Sequence, residues 1–172
     1  MKQSLSNLDK LPVEFERNDF LIRRSKASDI PKLVEIINRG FSYQDKLRGR
    51  PRITNEEQQA LMEEDIVYIV KNHAKESVAT YAVYEDPSEP LVLHLARLVV
   101  AQDYLGQGIA GMLMKNLEQI ARSVGYKTIY LNYMHIAPSW LPEFYHRLGY
   151  QDVHDSMRVW QGIEISSMTK EL

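Results

Sequence analysis

Cysteine is absent from the chain, which excludes disulfides, thiolate metal sites and a cysteine nucleophile. Neither sign of charge dominates: 21 Lys and Arg against 23 Asp and Glu leave a formal charge of -2. So small a value gives no argument for nucleic acid or a membrane surface as partner. Apolar runs long enough to span a bilayer are missing, and the opening MKQSLSNLDK lacks the apolar stretch of a signal peptide. The expected setting is therefore cytoplasmic. Repeats and low-complexity tracts are missing as well. Glycine is scarce, 8 in 172 residues, so its crowding at Gly106, Gly108 and Gly111 stands out.

What is present suffices for one domain, since a chain near this length buries roughly 70% of the surface its unfolded form exposes. Residues 1–19 are weakly patterned, with only Val13 and Phe15 hinting at an extended piece, and read as an N-terminal arm outside a domain spanning 20–172. Phe20 to Arg24 reads as a strand. Ser28 is placed to cap a helix whose apolar face is Ile30, Leu33, Val34 and Ile37, and Gly40 ends it. The basic segment Phe41 to Arg52 reads as a mobile loop. Thr54 and Glu57 form a capping box that opens a second helix running to about Glu64.

Strands Ile66 to Lys71 and Val78 to Tyr84 follow, joined closely enough to be antiparallel, and the turn EDPSEP is again too short for a crossover into the strand at Leu91. Ile109, Leu113, Leu117, Ile120 and Val124 recur at helical spacing until Gly125. Thr128 to Tyr133 is a strand that a whole helix separates from the Leu91 strand, so the two can run parallel. Ser139 to Leu148 reads as a short helix, and strands at about Tyr150 to Asp155 and Ile163 to Thr169 close the chain. The fold class is mixed α/β (α+β), a mixed, mostly antiparallel central sheet flanked by helices on both faces.

The stretch LVLHLARLVVAQDYLGQGIAG, Leu91 to Gly111, is the natural centre of the domain. A buried strand runs into a glycine-rich turn and then a helix start, whose unpaired N–H groups suit an anion, most often phosphate. Gly106, Gly108 and Gly111 satisfy the dinucleotide fingerprint literally, but no acid follows at the ribose-binding distance and the preceding strands are hairpins. A P-loop lacks its Gly-Lys-Ser/Thr. A plain strand-to-helix turn with glycines for close packing stays open.

With its flanks, VAQDYLGQGIA resembles motif A of the GNAT superfamily of N-acetyltransferases, a strand ending in Val and then Gln/Arg-x-x-Gly-x-Gly/Ala opening a helix. Gly106 and Gln107 fill the variable pair, followed by Gly108, Ile109 and Ala110. EFYHRLGYQ, Glu143 to Gln151, is similar to that superfamily's second signature. Leu105 stands where Gln or Arg is usual, and Pro138 near where many members carry a cofactor-contacting Asn.

The resemblance implies an acetyl-CoA-dependent N-acetyltransferase acting on a primary amine of a small molecule or a protein. It implies CoA in a cleft where the Leu91 and Thr128 strands splay apart, with the pyrophosphate on backbone amides of Leu105, Gly106, Gln107, Gly108, Ile109 and Ala110. Asn132 would meet the pantetheine arm, unless it is only a strand-end turn residue. The strand at Leu98, Val99 and Val100 would line the cofactor, with amides of Val99 and Val100 facing the thioester oxygen. Tyr145 would protonate the departing thiolate, and His94, on the strand parity of Val100, would be a conditional base. Either could instead be core. The acceptor site would be walled by Phe41 to Arg52, the second helix, and Ser156 to Gly162 with Arg158 and Trp160. No metal is expected, and a homodimer is left open. The alternative is a non-catalytic acyl-CoA-binding sensor of the same fold.

Overall fold

The computed structural model describes residues 6–172. They form a nine-stranded sheet built from β1 (Glu14–Arg17), β2 (Phe20–Arg24), β3 (Ile66–Lys71), β4 (Ser77–Tyr84), β5 (Val92–Val100), β6 (Thr128–Met134), β7 (Gln151–Asp152), β8 (Arg158–Trp160) and β9 (Ile163–Glu171). The order is β1-β2-β3-β4-β5-β6-β9-β7, with β8 paired to β9. Every pairing is antiparallel except β5 with β6. Helices are α1 (Ile30–Gly40), α2 (Asp45–Arg48), α3 (Asn55–Glu64), α4 (Ile109–Val124) and α5 (Trp140–Arg147). Among the described residues, no helix is long and apolar enough to cross a membrane.

The alternation of the central strands sends side chains to two cores. On one face Tyr68, Val70, Tyr81, Val83, Leu93 and Leu95 pack against Leu113, Met114 and Leu117 of α4. On the other, Val67, Ile69 and Ala82 meet Leu33 of α1 and Met62 of α3. Helices therefore cover both faces, as expected for strands apolar on both sides. In α1 the buried positions are Ile30, Leu33, Ile36 and Ile37, so Ile36 takes the place expected of Val34, which is half-buried. The turn into α1 is held by Asp29 rather than Ser28. Its carboxylate accepts from the Lys26 amide at 2.7 Å and pairs both oxygens with Arg23 at 2.8 Å, and the guanidinium holds it below the usual carboxylate range. The Thr54–Glu57 box is present in both directions, at 3.2 and 2.9 Å.

Some expectations need correction. Residues 1–5 of the expected arm lie outside the described residues, but from Ser6 onward the segment belongs to the domain. β1 pairs with Phe20 to Arg23 of β2, Leu11 is 2% exposed, and Tyr68 donates its hydroxyl to the Pro12 carbonyl at 2.6 Å. The charges flanking Phe15 in EFER mask an edge strand whose outward face is solvated. The expected loop Phe41 to Arg52 contains a 3-10 turn at Ser42–Gln44 and then α2. The strand expected at Tyr150 to Asp155 shrinks to β7, and β8 was not expected at all.

α1 ends directly against β5. A Cβ at Gly40 would lie 2.3 Å from Val99 Cγ1, so the helix terminus can approach the strand only without a side chain. Gly40→Ala is expected to lower stability by about 1–3 kcal/mol through overpacking, read as a lower midpoint in urea at unchanged slope.

Candidate functional site

β5 and β6 run together from Val92 opposite Thr128 to Leu95 opposite Leu131 and no further. Beyond that point β6 stays with β9 as far as Met134 opposite Ile165, and β5 stays with β4 as far as Val100 opposite Ala79. The sheet forks. A bulge in β5 helps to open it: Ala96 faces Ala82, yet Val99 already faces Thr80, which leaves one extra residue on β5. Arg97 takes the strain with φ at +52°, and its guanidinium is fastened to Asp65 at 2.6 Å. Ala101 donates its amide to Val78 at 2.8 Å, so the amide of Val100, one residue back, faces the other edge and the fork.

The fork opens into a cleft of about 480 Å³ lined by Leu98, Asn132, Tyr145 and side chains from three outer segments. Phe41, Tyr43 and Arg52 come from the stretch before α3, Glu64 and Asp65 from its end, and Arg158 and Trp160 from β8. These are the segments expected to wall an acceptor. Asn132 accepts from Arg158 at 3.0 Å and from the Ser167 hydroxyl at 2.7 Å through Oδ1, which leaves its amide donors for the cleft. Tyr145 is 7% exposed, with Phe144 and Tyr150 packed edge-on at 5.1 and 5.8 Å. Burial, aided by Tyr43, pushes its hydroxyl well above the usual value. It remains a proton donor at any ordinary pH.

The glycine turn follows β5 but does not line this cleft. Gly106 and Gly108 have φ of +77° and +76°, the left-handed conformation that glycine adopts without strain. The first helical bond of α4 runs from the Met112 amide to the Gly108 carbonyl at 3.0 Å, so the amides of Ile109, Ala110 and Gly111 leave the helix end without intrahelical acceptors. A Cβ at Gly106, Gly108 or Gly111 would meet nothing within 4 Å. Close packing therefore does not explain these glycines. The left-handed φ accounts for Gly106 and Gly108, and the open space over the turn leaves its backbone accessible; clustered amides at a helix N-terminus suit a diphosphate.

His94 is placed elsewhere. It lies opposite Tyr130 in the paired part of β5 and β6, stacked on Tyr84 at 4.8 Å and tilted against Tyr130 at 5.0 Å, with Glu89 3.3 Å from Nε2. It does not line the cleft, which corrects the expectation of a base there. His94 stops short of the fork because it lies in the stretch paired with β6, and the bulge breaks its parity with Val100. Counting by twos from Val100 assumes an unbroken strand, but Leu93 and Leu95 before the bulge and Leu98 and Val100 after it face the α4 core, so parity switches between them. Tyr84 and the Arg97–Asp65 pair also border the cleft, and no local sequence pattern announces either.

The model of the acetyltransferase (GNAT) family matches residues 30–150. Curated protein sequences gave no match. Similar solved structures include a GNAT family acetyltransferase from Elizabethkingia anophelis with acetyl-CoA bound, 18% identical at a TM-score of 0.66, the match covering 91% of this chain and 100% of that one. They also include the spermidine N-acetyltransferase from Vibrio cholerae in complex with CoA and spermine, 13% identical at a TM-score of 0.71 over 90% of this chain and 96% of that one. A third is the ribosomal-protein-alanine N-acetyltransferase from Brucella melitensis, 16% identical at 0.67 over 88% and 99%. At such identities these structures share the fold, and their acceptors differ too widely to name one here.

Proposed function

Because the chain belongs to the acetyltransferase (GNAT) family, we propose that it transfers the acetyl group of acetyl-CoA to a primary amine, of a small molecule in preference to a protein. The observation that carries this reading is the fork between β5 and β6 beside a turn of free amides. The diphosphate of CoA would rest on the amides of Gly106 to Ala110, the Leu105 amide being turned to the Gln102 carbonyl at 3.3 Å, and there the dipole of α4 adds to the hydrogen bonds. Leu98, Val99 and Val100 would flank the pantetheine arm, and Asn132 would hydrogen-bond it from the opposite side. The non-catalytic alternative is not favoured by membership of an acetyltransferase family.

The chemistry has three requirements, and this chain offers groups for two. An alkylamine with a pKa of about 10.4 must lose a proton before it attacks; with His94 outside the cleft, water accepts that proton. As the amine nitrogen bonds to the thioester carbon, charge grows on the oxygen, and the Val100 amide facing the fork is placed to stabilise it. When the carbon–sulfur bond breaks, Tyr145 gives its proton to the thiolate.

Thermal unfolding tests the reading directly. Acetyl-CoA at 100 times its dissociation constant adds about 2.7 kcal/mol, and for a protein of this size that raises Tm by roughly 5–11 °C. No shift at millimolar cofactor would remove the basis of the reading. Thiol release across a panel of amines then separates enzyme from sensor: binding without turnover on any amine would favour the sensor.

A further inference from the structure

The arginines around the cleft are unequally neutralised. Arg97 is paired with Asp65 at 2.6 Å, and Arg50 with Glu57 at 3.0 Å. Arg52 has no carboxylate partner among the described residues. Its guanidinium sits over the rings of Phe41 and Trp160 at 5.3 and 4.8 Å, and its polar contact is a long one of 3.5 Å to Gln44 Oε1. Arg158 touches only neutral groups, the Ser156 carbonyl and Ser167 hydroxyl at 3.1 Å and Asn132 Oδ1 at 3.0 Å. Both arginines line the cleft with Tyr145. Desolvation, reinforced by Arg48 and Arg97, lowers the Arg52 guanidinium to about 10, which reflects a cation held without its counter-charge. Glu64 is the one other carboxylate in the lining besides the paired Asp65, and it is exposed.

A partly dry guanidinium left unneutralised is unfavourable until an anion meets it. The phosphates of CoA do not fill that role, because the turn suited to them lies outside the cleft lining. A polyamine would bring more positive charge against two unneutralised guanidiniums. We infer that the acceptor is a small amino acid-type molecule, whose free carboxylate is held by Arg52 and Arg158 while its amine reaches the thioester. This rests on the acetyltransferase reading above. The planar fork of arginine suits a carboxylate, and a cleft of about 480 Å³ is of small-molecule size. In the reaction the amine nitrogen bonds to the acetyl carbon, the carbon–sulfur bond breaks, and the sulfur takes the proton of Tyr145. The proton shed by the amine leaves through water, and water returns a proton to Tyr145.

Thiol release is measured with acetyl-CoA and a panel of L-amino acids, each beside its carboxamide, with spermidine as the cationic probe. At least one amino acid is expected to show kcat/KM about tenfold or more above its amide. The amide has the less basic amine, so intrinsic reactivity at neutral pH favours the amide and cannot produce this preference. Arg52→Gln and Arg158→Gln are each expected to reduce the acid-to-amide ratio about tenfold or more, and Arg52→Lys, which keeps the cation, by less. Should Arg52→Gln fold poorly, Arg158→Gln reads the same preference from an exposed strand. Amides or spermidine turning over at least as fast as every acid would overturn the inference, as would cofactor binding with no turnover of any acid. Lack of any acetyl-CoA thermal shift would instead overturn the acetyltransferase reading, and this inference with it.

Discussion

Gly108→Glu is expected to abolish acetyl-CoA binding, raising Kd by at least about 100-fold, or roughly 2.7 kcal/mol. Two effects act together. The residue sits at φ +76°, where any side chain but glycine, asparagine or aspartate is strained by about 1–2 kcal/mol, and the new carboxylate would occupy the mouth of the amide turn, repelling a diphosphate. A steric clash does not account for the loss, because a Cβ there meets nothing within 4 Å. Gly108→Asn separates the two effects, since asparagine tolerates the left-handed conformation and brings no charge. Titration calorimetry should find its affinity between those of the wild type and Gly108→Glu. An unaltered Kd in the glutamate variant would mean that the diphosphate lies elsewhere.

Local signals in the sequence were enough for much of this fold. The Thr54–Glu57 box and the span of β3 require only neighbours a few residues apart, and the short turns between β3, β4 and β5 leave no topology but a meander. The parallel pairing of β5 with β6 follows because a helix of 16 residues intervenes. The GNAT membership was legible in two short stretches around Gly108 and Tyr145. What escaped was set by distant contacts. β8 carries three exposed residues and exists because β9 offers it an edge. The Phe41 to Arg52 segment looks like solvated loop in its basic composition, yet Gln44 is fully buried and Arg52 spans two aromatic rings. Its arginines Arg48 and Arg52 lie over the ring of Trp160, more than a hundred residues away.

The bulge shows the same limit most clearly. An arginine with positive φ in mid-strand gives no composition signal, since glycine or asparagine would be the residue expected there. Its conformation is fixed by Asp65 at the end of α3. The bulge breaks the parity between His94 and Val100 and turns Leu98 and Val100 toward the α4 core. Asp29 was equally hidden: its carboxylate makes no cap bond to α1 but accepts from the Lys26 amide and from Arg23 on β2.

Tyr145→Phe is expected to lower kcat by about 10²–10⁴-fold while the affinity for acetyl-CoA changes little. The substitution removes one oxygen and keeps the ring that packs on Phe144 and Tyr150, so a role confined to the core would show as an altered Tm with turnover intact. A proton donated only as sulfur departs would instead lower kcat and kcat/KM equally, since that contact exists in the transition state and not with bound substrate. The pH profile carries the same information. Burial raises the Tyr145 hydroxyl above its usual value of about 10, so the acid form persists throughout the range in which the amine loses its proton. Wild-type kcat/KM should therefore climb with pH toward the pKa of the amine and show no decline from loss of Tyr145's proton below pH of about 10. A phenylalanine variant with wild-type turnover would return this side chain to the core and leave the departing thiolate to be protonated by water.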